Sequence, residues 1–183
     1  MNETARPRTR EELLDRVQRA HQAIDRLAGG LLEEELSAPG PDGDWSIKDH
    51  LAHIVAWQQR LLAYVEGRPL REVVDLDSSA LDELQAYVQS HDHEAMDRVN
   101  ELIRRRYELF RGGEVLRDFR DTYANLFAAV ERVSEEDLNR ARFAANPSAE
   151  PLESPWSDPA IAGDSYEHDE EHLEYIQRLA PGS

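Results

Sequence analysis

Apolar residues recur along this chain at intervals of three and four, and nowhere do they alternate with polar ones over any length. The pattern predicts helices. The first opens at Thr9, where Thr9 and Glu12 have the spacing of a capping box. Leu13, Leu14, Val17, Ile24 and Leu27 follow at helical spacing, and Gly29-Gly30 ends the run. A second helix starts after Trp45, with Ser46 as N-cap and Asp49 at the third helical position. It carries Leu51, Ile54, Val55, Leu61, Leu62 and Val65 and runs to Gly67, ahead of Pro69. The third pattern spans Asp92 to Val133 and breaks at Gly112-Gly113. Its second part holds Leu116, Phe119, Tyr123, Leu126, Phe127 and Val130. The last helix takes Asp158 as N-cap and Pro159 at its first position, and ends near Ala180.

Leu31 to Asp44 reads as a connector that ends in the turn-rich PGPDGD. Leu70 to His91 is an excursion with a short helical pattern through Leu81, Leu84 and Val88. Ser134 to Asn139 is a short capped turn, and Arg140 to Ser157 a proline-bearing loop. The sum is an all-α domain over residues 1–183, a four-helix bundle with short accessory helices. Residues 1–8 and 181–183 are expected to be flexible tails.

Composition narrows the function classes. Hydrophobic residues make up 40% of the chain, enough for a core, and charged residues 32%, which suits exposed helical faces. No apolar run is long enough to span a membrane, and the N-terminus lacks the apolar stretch of a secretory signal. The expected location is the cytoplasm. Without cysteine there are no disulfides, thiolate metal sites or cysteine nucleophiles. A net charge of -17 repels phosphate backbones, and the densest basic run, Arg104-Arg105-Arg106, lies in a mixed helix, so nucleic acid is not an expected partner. No nucleotide-binding loop or hydrolase elbow occurs.

The candidate chemistry lies in histidines. His168 and His172 are four residues apart, so they share a face of the last helix and can converge on one point. Spacing alone also fits a solvated face among Glu167, Asp169, Glu170 and Glu171. His53 borders the apolar stripe of the second helix beside Trp57 and Tyr64. A histidine there suits a boundary position, or a third nitrogen ligand if the two helices face one another. Three imidazoles would leave an open site for Zn²⁺ or Ni²⁺ with room for water and substrate. Asp164, one turn before His168, is either a solvated acid or a general base. His50 reads as polar surface or as a partner to a ligand, His21 as solvated, and His91 and His93 as a helix start. Trp45 reads as a hydrophobic staple, and Trp156 as closing the end of the bundle.

"DWSIKDHLAHIVAWQQRLL" followed by "AGDSYEHDEEHLEYI" resembles the DinB superfamily, and within it the ClbS/DfsB branch. "RTREELLDRVQRAHQAIDRL", "DRVNELIRRRYELFRGGEVLRDFRDTYANL" and "VSEEDLN" are similar to that branch as well. The resemblance covers Arg8 to Leu179. It implies an up-down-down-up bundle, often paired as a homodimer. It also implies a divalent metal on one histidine of the second helix and the terminal H-x-x-x-H, here His53, His168 and His172. Asn100 matches a polar position of the family's third helix; facing inward it would orient water or substrate, facing outward it is an ordinary helix residue. Where the branch reads N-T-x-x-H-Y, this chain has Asp164-Ser165-Tyr166-Glu167-His168-Asp169.

By that resemblance the expected function is self-resistance or detoxification. Water, activated at a site built from His53, Asp164 and Asn100, would hydrolyse the cyclopropane or epoxide of a small natural product. The expected substrate pocket is Trp57, Tyr64, Trp156 and Tyr166. Alternatives are a metal- and mycothiol-dependent transferase, and a non-catalytic protein that sequesters a drug-like electrophile.

Overall fold

The computed structural model describes residues 6–41, 44–90 and 92–181, the side chains of Gln89 and His93 apart. The ends of the expected tails, the middle of the PGPDGD turn and His91 lie outside the described residues. Those described form α1 (Arg10–Ala28), α2 (Glu33–Ser37), α3 (Ile47–Glu66), α4 (Ser78–Ser90), α5 (His93–Tyr107), α6 (Gly112–Arg132), α7 (Glu135–Ala145), α8 (Pro159–Gly163) and α9 (Tyr166–Leu179), with no strand among them. The fold is helical, as the periodicity predicts.

The caps explain where the helices begin. Thr9 accepts a hydrogen bond from the Glu12 amide at 3.2 Å, but Glu12 turns its carboxylate to the Arg8 amide at 2.7 Å instead of closing the box. Ser46 and Asp49 do close theirs, with Ser46 accepting from the Asp49 amide and Asp49 from the Ser46 amide. Gly67 ends α3 at φ 63°, a left-handed conformation that a side chain disfavours. Arg6 to Arg8 are not a free tail. Pro7 is buried, Arg6 pairs with Glu167, and the Arg8 carbonyl accepts from Ser154 Oγ at 2.8 Å.

Periodicity missed several boundaries. The break after α5 lies at Glu108 to Arg111, and Gly112-Gly113 begin α6. Their amides donate to Glu33 at 2.5 and 3.1 Å, which anchors α2. A Cβ on Gly112 would stand 2.6 Å from Leu36 Cβ, so this approach requires glycine. Lys48 donates to the carbonyls of Glu108 and Phe110, tying α3 to the same turn. Ser134 caps a full helix, α7, which runs to Ala145 through the first part of the expected loop. The last helix is two pieces: α8 ends at Gly163 and α9 starts at Tyr166.

Four helices close a ring: α1 packs on α6 and α9, and α3 packs on the same two. The α4–α5 pair lies against α3 through α5. Two apolar clusters fill the interior. One joins Ile24 and Ala28 of α1 to Leu51, Ile54 and Val55 of α3, Val99 and Ile103 of α5, Val115 and Phe119 of α6, and Ile176 of α9. The other joins Leu13 and Val17 to Leu61 and Val65, Leu126 and Val130, and Tyr166.

His21, expected in solvent, is buried at 6% exposure between Tyr123 and Phe119, with ring centroids 3.7 and 4.4 Å away. Its apolar face points inward because Phe119 and Tyr123 of α6 meet it there. Burial pulls its pKa down from 6.5 to about 4, Asp25 opposes this, and Arg120 adds to the lowering. The unfolded chain therefore binds a proton here that the folded one refuses. Stability is complete above pH 6.5 and declines as pH falls toward about 4. His21→Leu is expected to flatten that decline in thermal melts across this window. An unchanged slope would show that His21 does not carry it.

Candidate metal centre and pocket

The α3–α9 contact is polar at its centre. His50, His53, Trp57 and Gln58 are spaced so that α3 turns them toward one side, and α9 meets them with His168, Asp169 and His172. The Asp164-Ser165 break resets the direction of the chain before α9. Ser165 is fully buried, its hydroxyl donating to Ile161 O at 2.5 Å and its carbonyl accepting from the Asp169 amide at 2.8 Å.

One donor atom from each of His53, His168 and His172 lies within 4.8 Å of the others, so the residues read from spacing do converge. His53 Nε2 and His168 Nε2 are 2.8 Å apart. Trp57 Nε1–H donates to His53 Nδ1 at 3.3 Å, so neutral His53 carries its hydrogen on Nε2, between the two rings. His172 meets His53 and His168 at centroid distances of 4.7 and 4.5 Å. Its Nδ1 stands 2.8 Å from Nδ1 of His50.

Burial lowers the pKa of all four. His50 and His168 fall to about 4, His53 lies well below 6.5, and His172 is also lowered. After burial, neighbouring imidazoles add to the effect at His53 and His172, and Arg60 at His168. The rings are thus neutral near pH 7. Neutral, convergent imidazoles are the donor set that Zn²⁺ or Ni²⁺ prefers. Nδ1 of His168 is buried without a hydrogen-bond partner. Ligation through His53 Nε2 would move its hydrogen to Nδ1, where Trp57 now donates, so the indole would have to turn. With that adjustment the residues present fit a divalent ion.

The cluster lines a cavity of about 680 Å³. Its aromatic walls are Trp45, Trp57, Tyr87 and Tyr175, and Asn100, Asp164, Glu171 and Arg178 supply polar groups. Asn100 Oδ1 is buried without a partner. Asp164 pairs with Arg60, yet burial pushes its pKa up to about 6 because desolvation outweighs the guanidinium. Trp45 packs on His50, the fourth residue of α3, as a staple does, but it lines the cavity and not the core: it borders His50, His53 and His172 at centroid distances of 5.2, 5.1 and 6.3 Å.

Three expected pocket residues lie elsewhere. Tyr64 is two turns past Trp57, about 10 Å along α3, and donates to Asp158 Oδ2 at 2.7 Å. Trp156 is buried and donates to Glu135 at 2.9 Å. Tyr166 is buried under the Arg16 guanidinium, 5.2 Å from its ring centroid. All three pack with the second apolar cluster, whereas Trp57 belongs to the first.

A model of the DinB superfamily matches residues 16–176. The chain belongs to the DinB superfamily. No curated protein and no solved structure matches it. This DinB-superfamily chain fills the position after its first terminal histidine with Asp169, which is fully buried. Gln58 Nε2, also fully buried, donates to Asp169 Oδ2 at 3.0 Å and Oδ1 at 3.2 Å. Burial raises the pKa of Asp169 to about 8, and the Gln58 bond opposes the rise only in part. Oε1 of Gln58 is buried without a partner. Gln58→Leu is expected to cost about 2 kcal/mol by stranding the carboxyl group. The Gln58→Leu/Asp169→Leu double variant should recover part of that loss in urea denaturation. Additive losses would show that the two side chains are not coupled.

Proposed function

We propose that this protein is a metal-dependent enzyme of detoxification or self-resistance. It adds water to a strained small-molecule electrophile such as an epoxide or cyclopropane. The observation that carries this reading is the convergence of His53, His168 and His172 on a cavity walled by aromatic rings. The resemblance to the ClbS/DfsB branch supplies the substrate class. The up-down-down-up order of that family is supported by the ends that share apolar clusters. The start of α1 joins the end of α3, the end of α6 and the start of α9.

His53, His168 and His172 would hold the ion. A divalent metal there supplies Lewis acidity that brings water to its nucleophilic form near neutral pH. Trp45, Trp57, Tyr87 and Tyr175 hold the apolar body of the substrate. Asn100 Oδ1, which lacks a partner in the fold, accepts a hydrogen bond from water or from a donor on the substrate. Asp164, kept in place by Arg60, takes the proton of the attacking water. For an epoxide, a new carbon–oxygen bond forms and one ring carbon–oxygen bond breaks. The ring oxygen then gains a proton from Asp164 or from solvent in the open cavity.

A second reading, transfer of a low-molecular-weight thiol such as mycothiol, draws on size. A cavity of about 680 Å³ has space for a thiol beside a small electrophile.

The test is turnover of a probe epoxide, styrene oxide, by zinc-reconstituted protein in oxygen-18 water. The expected product is the diol carrying the label, formed at a rate that rises as pH passes about 6, where Asp164 loses its proton. Asp164→Asn is expected to lower kcat by about 10²–10⁴-fold with metal content unchanged. A thioether formed only when thiol is added would favour transfer. Epoxide returned intact, though bound, would contradict an enzymatic role.

A further inference from the structure

His50 is the histidine that helical spacing leaves least explained. It precedes His53 by three residues and has an acidic neighbour, Asp49, so it reads as polar surface or as a partner to a ligand. In the fold it is 8% exposed. Trp45 lies edge-on to it at 5.2 Å, and Tyr175 stacks on it at 5.4 Å with the planes 10° apart. These rings hold the imidazole in one orientation, with Nδ1 directed at Nδ1 of His172, 2.8 Å away.

Two ring nitrogens at that distance are compatible only when one carries hydrogen and the other a lone pair. The direction matters because a neutral imidazole has one lone pair on its ring nitrogens. If His172 keeps its hydrogen on Nδ1, its lone pair is on Nε2, the nitrogen left to face His53 and His168. If His50 donates instead, His172 carries hydrogen on Nε2 and is closed to ligation there. Metal-binding histidines commonly have their second nitrogen fixed by a hydrogen-bond acceptor, which sets tautomer and ring orientation.

We infer that His50 is a positioning residue for the metal centre: its Nδ1 accepts the Nδ1–H of His172 and so directs the His172 Nε2 lone pair toward His53 and His168. His50 contributes no ligand. It acts on affinity through its neighbour, and Tyr175 and Trp45 act on His50. The inference rests on the metal reading above.

The experiment uses the full chain in three forms: wild type, His50→Phe and His50→Asn. Phenylalanine keeps the stacking and removes the acceptor. Asparagine places Oδ1 where Nδ1 stood and restores it. Nitrogen-15 NMR of the metal-free protein reads the tautomer of His172. Competition titration with Zn²⁺, and the visible spectrum with Co²⁺, read the centre. Far-ultraviolet circular dichroism melts verify folding of each form.

The expected result is His172 with hydrogen on Nδ1 in wild type and His50→Asn. In folded His50→Phe that state is lost, Zn²⁺ binds about 10–100-fold more weakly, and the Co²⁺ bands change. Should His50→Phe not fold, His50→Asn still decides: wild-type affinity and spectrum support the inference, and a loss of either overturns it. Hydrogen on Nε2 of His172 in wild type overturns it, as does unchanged affinity in folded His50→Phe. A wild type that binds neither ion overturns the metal reading and this inference together. That outcome is distinct from failure of the inference alone, in which wild type still binds the ions.

Discussion

Where α3 meets α9, histidines 50, 53, 168 and 172 are drawn out of water together with Gln58 and Asp169. Such groups are stable in an interior only when each finds a partner and none is forced to hold a charge alone. The structure meets that condition with paired imidazoles, an indole N–H turned onto His53, and an amide set against a carboxyl group. Two of the buried atoms left without partners are informative for the same reason. Nδ1 of His168 and Oδ1 of Asn100 are buried without partners, and both residues line the cavity.

The apolar scaffold keeps this seam in register. Leu51, Ile54 and Val55 bury the opposite side of α3 against α5 and α6, so His50 and His53 turn toward α9. The α8–α9 break places Asp164 at the cavity, while Asp158, the N-cap of α8, bonds Tyr64 beside the second cluster, each acid facing a different cation. Asp164 pairs with Arg60, and Asp158 lies 3.6 Å from Arg142. The α4–α5 pair contributes Tyr87, Met96 and Asn100 to the wall facing the histidines. The histidines and the cavity thus gather at one end of the molecule, while the other is conventional core around Leu61, Leu126 and Tyr166.

Much of this was legible in the sequence, and for physical reasons. Local rules govern caps, so Thr9, Ser46, Ser134 and Asp158 mark their helices. The four-residue spacing of His168 and His172, with His53 on an apolar border, named the three candidates but fitted a solvated face as well, and it is the fold that brings the rings together. What escaped was decided by tertiary contact. His21 and His50 sit among polar neighbours in sequence, and only the rings of α6 and α9 show that they are buried. Asp169 stands in a run of acids and differs from them only because Gln58 awaits it across the seam. Tyr64, Trp156 and Tyr166 have the character of pocket residues, but their positions along α3 and around α8 assign them to the other cluster. The α7 helix was hidden because its apolar face is short, with Leu138 its one buried residue.

The central claim is that the three histidines form a metal centre. The most direct measurement is metal content by mass spectrometry on tag-free protein, beside a His53→Ala/His168→Ala variant. The account predicts near-stoichiometric divalent metal after exposure to Zn²⁺ or Ni²⁺ in wild type, and its loss in the variant with the helical fold retained. Wild-type protein that stays metal-free after that exposure, or a variant that binds as much, would contradict it.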